Sequence, residues 1–169
     1  MIDGPVKTAT VRSWIFLAAG LGLLVALFAA AEFYTASLRS VCSINQFFSC
    51  ATVDESGKTT TLGIPDYLWG IGGFVVLLVV AGLAERRPKD VRPAYLLVLF
   101  ATLAFVLSGY FIYVQLAEIH ALCVVCATAE GFGTGVWVGS LSLAGRTARA
   151  ARSSRSGPGG PGAKQGPPD

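Results

Sequence analysis

Charge and histidine are scarce in this 169-residue chain. Only 14% of its residues are charged, against about 25% in an average soluble domain, and there is one His and one Met. This leaves little room for a His-rich metal site or a Met-lined groove. The net charge of +3 is too weak and too scattered for a nucleic-acid-binding protein. Apolar sequence is abundant, at 53% hydrophobic residues and a mean hydropathy of +0.62, and it indicates an integral membrane protein.

Long uncharged runs locate the predicted helices. A transmembrane helix needs about 20 apolar residues, and four runs meet this need, the last interrupted only by Glu130. The runs cover residues 13–31, 67–84, 93–117 and 119–145. They predict an all-α membrane protein, a four-transmembrane-helix bundle with helices at about 13–36, 66–84, 93–116 and 121–145. A cleaved signal peptide is an alternative interpretation of the first run, although the run is longer than the roughly 7–15 apolar residues typical of such a peptide.

The basic residues predict the orientation of the bundle. Eleven of the 13 lie in the N-terminal segment 1–12, between the second and third helices, or after the fourth. Only Arg39 and Lys58 fall elsewhere. The positive-inside rule therefore places both termini in the cytoplasm and the segment 37–65 outside. We expect a multi-pass protein of the plasma (inner) membrane, with a long extracytoplasmic loop that has room for a short interfacial helix.

The tail after the transmembrane domain 13–145 spans residues 146–169. It begins with four arginines at three-residue spacing, and from residue 156 onward nine of 14 residues are Gly or Pro. The second part has too few apolar groups to offset the entropy of ordering, so we expect disorder there. The arginines either stop translocation or lie along anionic membrane lipid headgroups.

Four cysteines carry the chemistry. Cys42 and Cys50 lie in the long outer loop, and Cys123 and Cys126 form a Cys-x-x-Cys motif at the outer end of the fourth helix. The predicted topology, which makes no use of cysteines, brings both pairs to the same oxidising side. A cysteine that opens a helix lies near free amide groups that favour its thiolate. Two such pairs within reach of each other can exchange a disulfide.

Other uses of these cysteines have weaker support. A zinc site is disfavoured because the second pair has the wrong spacing and its partner sits in lipid. Haem attachment needs a His after Cys126, where Ala127 stands. A purely structural disulfide between Cys42 and Cys50 is an alternative interpretation, although it does not explain the second pair. We expect no metal and no nucleic acid among the ligands.

The ordered set of motifs resembles the vitamin K epoxide reductase family, the membrane quinone-linked thiol oxidoreductases, over about residues 14–139. The resemblance is to bacterial or archaeal members without a fused thioredoxin domain. It rests on Cys-x7-Cys in the outer loop, Leu62-Gly63-Ile64-Pro65 followed by Trp69-Gly70, the stretch Tyr110-Phe-Ile-Tyr113-Val-Gln115-Leu116, and Cys123-Val-Val-Cys126. The DsbB group carries the tight pair first and the wider pair later, the reverse of this order.

The resemblance implies a role for each cysteine. Cys42 and Cys50 match the loop pair that exchanges disulfides with an extracytoplasmic thioredoxin-like (DsbA-like) protein, expected here to be a separate chain. Cys50 matches the cysteine that bridges to Cys123, and Cys126 matches the one that faces a quinone of ubiquinone or menaquinone type. The implied function is a thiol oxidoreductase that supports disulfide formation. The alternatives are a quinone or vitamin K epoxide reductase that uses external thiols, and a non-enzymatic redox-sensing membrane protein.

Glu130 stands where many members of the family carry a Tyr, four residues after the second active-site cysteine. Residues 123, 126 and 130 share one face of a helix, with Glu130 roughly 6 Å deeper than Cys126. An ionisable side chain at such depth is a functional candidate, able to relay a proton or to hydrogen-bond a quinone oxygen. A protonated Glu bonded to a neighbouring helix is the structural alternative. The departure from Tyr counts against vitamin K epoxide as the substrate.

Three further residues complete the predicted quinone-binding set. Tyr113 lies in the outer third of the third helix, where aromatic belts are also expected. Asp66 opens the second helix, where an acid is also ordinary N-terminal chemistry. Phe48, with Phe47, either caps the quinone pocket or anchors the loop at the membrane interface. His120 either assists thiolate formation or is an exposed turn residue.

Overall fold

The described parts of the chain are mostly helical and include one small hairpin. The computed structural model describes residues 5–87 and 90–155. In chain order the elements are α1 (Pro5–Tyr34), α2 (Ala36–Val41), α3 (Cys50–Glu55), β1 (Thr60–Thr61), β2 (Ile64–Pro65), α4 (Asp66–Arg86), α5 (Arg92–Tyr113), a π-helical segment (Val114–Ile119) and α6 (Val124–Arg155). Four of the helices are long, and the short elements connect α1 to α4.

Three stretches are long and apolar enough to cross a membrane. They are Thr8–Tyr34, Asp66–Arg86 and Arg92–Ile119. Large apolar side chains on these helices face outward: Trp14 is 67% exposed, Leu103 63% and Val106 64%. Soluble proteins rarely expose such an apolar surface, whereas a bilayer covers it. The protein is therefore an all-helical membrane protein.

The fourth long helix, α6, is less apolar than the other three. Among the described residues it is not one of the stretches that qualify as a span by composition. Glu130 and a series of glycines lower its hydropathy, and arginines fill its C-terminal part. It packs along α1 and α5, and α4 packs along the same two helices. The four long helices therefore close into a ring in which each has two neighbours.

Small residues allow the ring to close tightly. Ile15 and Ala19 of α1 lie with Leu97 of α5 and Val136 of α6 in one buried cluster, each at most 2% exposed. A Cβ atom added to Gly139 of α6 would lie 2.8 Å from a side-chain carbon of Ile15, closer than Cβ contacts allow. Because a side chain at that position would push α1 away, this close packing of α1 and α6 requires glycine.

The observed helices extend beyond the predicted ones at some ends and fall short at others, since α1 ends at Tyr34 rather than at 36 and α6 begins at Val124 rather than at 121. α4 begins at the predicted residue 66 and α5 one residue before the predicted start, but α1 begins at Pro5 rather than at residue 13. α6 runs to Arg155 rather than ending at residue 145, so the basic part of the predicted tail is helical. Uncharged runs mark the apolar portion of a helix and not its full length. The predicted disorder of residues 156–169 falls outside the described residues.

The connection between α1 and α4 contains more structure than the single interfacial helix allowed for. It holds two short helices and the antiparallel hairpin β1–β2. Leu62 and Gly63 form its two-residue turn, both with positive φ (57° and 78°), which matches the twist of paired strands. The Asp66 N–H donates to the Thr59 carbonyl at 2.9 Å. The hairpin is thereby fixed to the first turn of α4.

A π-helical segment ends the α5 side of the bundle. It turns Gln115 inward, where the side chain is 5% exposed, and it terminates at His120, an exposed residue in the left-handed conformation. π-helical turns are rare and are frequently found at functional sites. This irregular turn reverses the chain and delivers Cys123 to the start of α6.

Candidate active site at the cysteine end of the bundle

The loop cysteines form a disulfide. Cys42 directly follows α2 and Cys50 opens α3, with their Cα atoms 5.9 Å apart. The side chain of Asn45 shapes the connection between them, since its Oδ1 accepts hydrogen bonds from the N–H groups of Phe47 (2.9 Å) and Phe48 (2.8 Å). This turn is typical of asparagine, whose side chain can replace a backbone acceptor. It brings together two cysteines that are eight positions apart.

Backbone hydrogen bonds dock this loop onto the residues before α6. The Leu122 N–H donates to the Phe47 carbonyl at 2.7 Å, and the Ser49 N–H donates to the Leu122 carbonyl at 3.2 Å. Phe48 and Leu122 form a parallel bridge. Cys50 lies two residues after Phe48, and Cys123 directly follows Leu122. The bridge therefore places the two cysteines beside each other.

The sulfur atoms of Cys50 and Cys123 lie 3.4 Å apart. Both residues are buried, at 0% and 2% exposure. Cys123 and Cys126 are free thiols. The Cys126 N–H donates to the Cys123 sulfur at 3.2 Å, and an amide in the first turn of a helix stabilises negative charge on that sulfur. A thiolate at Cys123 is therefore in contact with a disulfide that it can attack.

Gln115 fixes the main chain at Cys123. Its Oε1 accepts from the Cys123 N–H at 2.8 Å, and its backbone carbonyl accepts from the Ala121 N–H at 3.2 Å. Amides at the start of a helix have no acceptor within the helix, so a buried side-chain acceptor satisfies one of them. Gln115 is thus a positioning residue for the sulfur of Cys123.

A partly open cavity of about 430 Å³ reaches the helix cysteines. This volume falls within the about 300–1,000 Å³ of small-molecule sites. Its wall includes Cys123 and Cys126. The apolar part of the wall includes Phe74, Leu77, Phe100, Leu103 and Phe111, and α4 also contributes the side-chain-free surface of Gly70, Gly72 and Gly73. The cavity suits a largely apolar molecule in contact with Cys126.

Four carboxyl groups line this otherwise apolar cavity: those of Glu32, Asp54, Asp66 and Glu130. Asp66 Oδ1 accepts from the Thr61 hydroxyl at 3.4 Å. Glu130 Oε2 is buried and has no hydrogen-bond partner among the described residues. Since buried polar atoms are nearly always hydrogen-bonded, this oxygen is an exception that marks Glu130 as a candidate functional residue.

Glu32 lies against the loop disulfide. Its carboxyl oxygen is in hydrogen-bond contact with Cys42 Sγ, and the side chain is almost completely buried. The ligand atoms of Glu32, Cys42 and Cys50 all lie within 4.8 Å of one another, a spacing that would suit a metal ion. The sulfurs are joined to each other, however, and offer no thiolate to a metal. The cluster is therefore a contact between an acid and a disulfide.

The structure brings together six of the eight predicted site residues, namely the four cysteines, Asp66 and Glu130. Phe48 and Tyr113 do not line the cavity. Phe48 packs its ring on Phe47, with centroids 5.0 Å apart, at the loop surface. Tyr113 is 60% exposed at the end of α5. Aromatic residues in this part of a sequence give no indication of which face they occupy, because interfacial belts attract the same side chains.

Sequence reasoning missed Glu32, Asp54 and Tyr67 on the cavity wall. A signal for Glu32 was present, because it directly follows the uncharged run 13–31 and still belongs to α1. An acid within a membrane helix is a functional candidate for the same reason as Glu130. Tyr67 gave no such signal, and its hydroxyl lies 2.7 Å from that of Tyr34.

Comparison with known families is consistent with this geometry. The sequence profile of the vitamin K epoxide reductase family matches residues 13–141, which is well over half of the chain and contains all four cysteines. No curated protein matches the chain at a significant level.

Proposed function

The chain belongs to the vitamin K epoxide reductase family, and from this premise we propose that it is a quinone-coupled thiol–disulfide oxidoreductase. Electrons enter from a secreted thioredoxin-like (DsbA-like) protein at the loop pair Cys42 and Cys50. They pass to the helix pair Cys123 and Cys126 and leave to a membrane quinone. The product is a reoxidised partner that can form disulfides in other proteins.

The 3.4 Å contact between the Cys50 and Cys123 sulfurs carries this proposal. Disulfide exchange requires a thiolate to touch the disulfide sulfur that it attacks. The two residues are 73 positions apart in sequence, and no local turn brings them together. A membrane protein with two ordinary structural disulfides has no need of a free, buried thiol packed against a disulfide.

The electron path can be written as a series of exchanges. A partner thiolate attacks Cys42 and releases Cys50 as a thiolate. Cys50 then attacks Cys123 of the oxidised helix pair and releases Cys126 as a thiolate. The second thiol of the partner displaces Cys42 and leaves the partner oxidised, and Cys42 attacks Cys50, which restores the loop disulfide and frees Cys123. Each exchange breaks one disulfide and forms one, so the electron pair moves inward on sulfur alone. An oxidised loop pair and two free helix thiols, as in the structure, correspond to the state after this transfer.

The cavity residues fit a quinone. The wall of the cavity is largely apolar and includes Cys126. Glu130 Oε2 has no hydrogen-bond partner among the described residues. A bound quinone would supply the acceptor for two electrons and two protons. Cys126 presents the sulfur, Glu130 holds or moves a proton at Oε2, and the aromatic wall excludes water. Asp66 offers a second carboxyl on the same wall.

We place the cysteine end outside the cytoplasm, in a plasma membrane that all four long helices cross. Support comes from the 11 basic residues on the other side and from the packing of α6 between α1 and α5. A reporter enzyme that is active only outside the cytoplasm should be active when inserted after Gly57 and inactive after Arg155. The opposite pattern would put the cysteines in a reducing compartment and contradict the mechanism.

The full-length protein in lipid nanodiscs tests the function directly. It is mixed with a reduced thioredoxin-like protein and with ubiquinone or menaquinone analogues, and both thiol loss and quinol formation are measured. We expect two partner thiols to disappear for each quinol formed. Quinone or quinone-epoxide reduction driven equally well by small thiols would instead favour a reductase. No reduction with any thiol would favour a redox sensor.

A further inference from the structure

Glu32 is the most deeply buried carboxyl group in the part of the chain that the structure describes. Its side chain is 2% exposed, although it lies only two residues before the end of α1. One carboxyl oxygen is in hydrogen-bond contact with Cys42 Sγ. Burial of a carboxyl group is costly unless its hydrogen bonds are satisfied. An acid kept at this depth, against a reactive sulfur, is placed to take part in the chemistry of that sulfur.

We propose that Glu32 is the proton acceptor and donor for Cys42 during disulfide exchange between the loop pair and Cys123. The inference rests on the proposed function only for the order in which the cysteines react. A thiol must lose its proton before it attacks a disulfide, and a thiolate that leaves must regain one. Cys42 is only 9% exposed, so water reaches its sulfur poorly, whereas Glu32 is in contact with it.

The step that restores the loop disulfide balances without an external reactant. The Cys42 thiol gives its proton to the Glu32 carboxylate, and the Cys42 thiolate attacks Cys50 of the Cys50–Cys123 disulfide. The bond between Cys50 and Cys123 breaks, and its electron pair leaves on the Cys123 sulfur, which the Cys126 N–H stabilises at 3.2 Å. One disulfide forms and one breaks. In the reverse step, protonated Glu32 returns the proton to Cys42.

Other ionisable groups share the cavity with Glu32 and must be separated from it. Asp54 approaches from α3, Asp66 and Tyr67 from α4, and Cys126 and Glu130 from α6. Asp54→Asn and Asp66→Asn are therefore measured alongside Glu32→Gln. The inference assigns the pH dependence of Cys42 to Glu32, so these two variants should keep the pH profile of the unsubstituted protein.

The test measures how fast the Cys42 thiol reacts at different pH values. Full-length protein carrying Cys50→Ser, which leaves Cys42 without its disulfide partner, is reduced in detergent micelles and treated with iodoacetamide. Alkylation of the Cys42 peptide is followed by mass spectrometry from about pH 5.5 to about pH 8.5. With Glu32 present we expect the alkylation rate to be independent of pH over this range (a plateau). The resting form carries its proton on Cys42 and the reactive form carries it on Glu32, so a change in pH does not alter the ratio of the two forms.

Glu32→Gln should remove this plateau. The Cys42 proton must then go to solvent, so the rate should rise about tenfold per pH unit. At the acidic end it should fall about 10²-fold below the rate with Glu32, the size typical of a lost general base. Glu55→Gln, which neutralises an exposed carboxyl on α3, is the matched control and should keep the plateau.

Two outcomes would overturn the inference: the same profile with Glu32 and with Gln, or a tenfold rise per pH unit in the protein that retains Glu32. Glu32→Asp keeps an acid at the position and should keep a plateau at a lower rate, which decides the matter if the Gln variant does not fold. The measurement uses neither quinone nor partner protein. A protein that reduces no quinone but shows the plateau would lose the proposed function and keep the proton role of Glu32.

Discussion

Cys42 and Cys50 lie on a segment made of two six-residue helices and a side-chain-stabilised turn, whereas Cys123 and Cys126 lie at the start of a 32-residue helix. The loop segment is docked at Leu122 through two backbone hydrogen bonds, and its buried side chains form only a small cluster with Ala121 and Cys123. α6, by contrast, packs along α1 and α5. The two pairs therefore have the same chemistry and very different mechanical support.

This difference suits a division of labour between the pairs. Segments held by few buried contacts open at low free-energy cost, whereas helices packed in a core do not. The loop pair can leave its docked position to meet a partner protein, while the helix pair keeps its position relative to the cavity. The predictions that follow test whether each pair, and the residues that hold it, has the role that its support implies.

Removal of a single sulfur should have the largest effect. Cys126→Ser should abolish quinone reduction and accumulate a Cys50–Cys123 disulfide, because the thiol that displaces Cys50 from Cys123 is missing and only Cys42 can reverse the bond. Cys42→Ser should block oxidation of the partner protein while leaving the quinone site intact. Mass-spectrometric mapping of the unreduced protein identifies the disulfides. A link between Cys42 and Cys123 in the Cys126→Ser protein would show that the loop cysteines have exchanged roles.

Substitution of Glu130 should have the next largest effect, on turnover and not on disulfide mapping. Glu130→Ala removes the carboxyl that faces the cavity, and we expect turnover to fall by on the order of 10²-fold. Glu130→Gln retains a donor but cannot exchange a proton, so it should be equally slow if Glu130 relays a proton. Quinol formation and quinone affinity are measured for both variants.

The control for Glu130 is Glu118→Gln, which removes an exposed carboxyl that pairs with Lys58 at 3.0 Å. An exposed pair of this kind contributes little, so turnover should be unchanged. A Gln variant at 130 with nearly full activity would reduce the role of Glu130 to hydrogen bonding. Unchanged turnover and affinity in both Glu130 variants would make it a helix-packing residue and place the quinone elsewhere.

Gln115 should give the smallest effect, on stability. Gln115→Leu leaves the Cys123 N–H without its buried acceptor, which should lower the free energy of unfolding by about 1–3 kcal/mol. Gln115→Glu keeps an acceptor and should lose less. Gln46→Leu, at an exposed loop position, is the matched control and should change stability by less than about 0.5 kcal/mol. Thermal unfolding in micelles measures the difference, and equal stability of the Leu variant and the control would contradict the positioning role.

Much of the fold could be predicted from sequence because hydropathy reports directly on the membrane. The uncharged runs 13–31, 67–84, 93–117 and 119–145 fall on α1, α4, α5 and α6, of which α1, α4 and α5 contain stretches apolar enough to span a membrane. They could not locate the ends of α1 and α6, since a helix continues into water wherever its polar residues still favour it. The π-helical segment was also beyond reach, because its residues read as an ordinary continuation of α5.

The candidate site likewise contains residues that the sequence could predict and residues that it could not. The cysteines could be found because two dithiols on one side of a membrane have few other uses, and Glu130 because it interrupts an apolar run. Glu32 escaped because it follows the uncharged run 13–31 near the end of the predicted helix 13–36, where an acid is expected close to the membrane surface. Phe48 and Tyr113 were assigned to a pocket that they do not line, because interfacial and pocket aromatics have the same sequence pattern.

The docking of the loop at Leu122 has a consequence for how this protein can change over evolutionary time. Both hydrogen bonds that hold Phe47 and Ser49 to Leu122 are made by main-chain atoms. Almost any residue can supply them, so substitutions of loop side chains other than Asn45, whose Oδ1 shapes the turn, leave these two hydrogen bonds in place. The outward surface of the loop can therefore change in sequence while Cys50 stays beside Cys123.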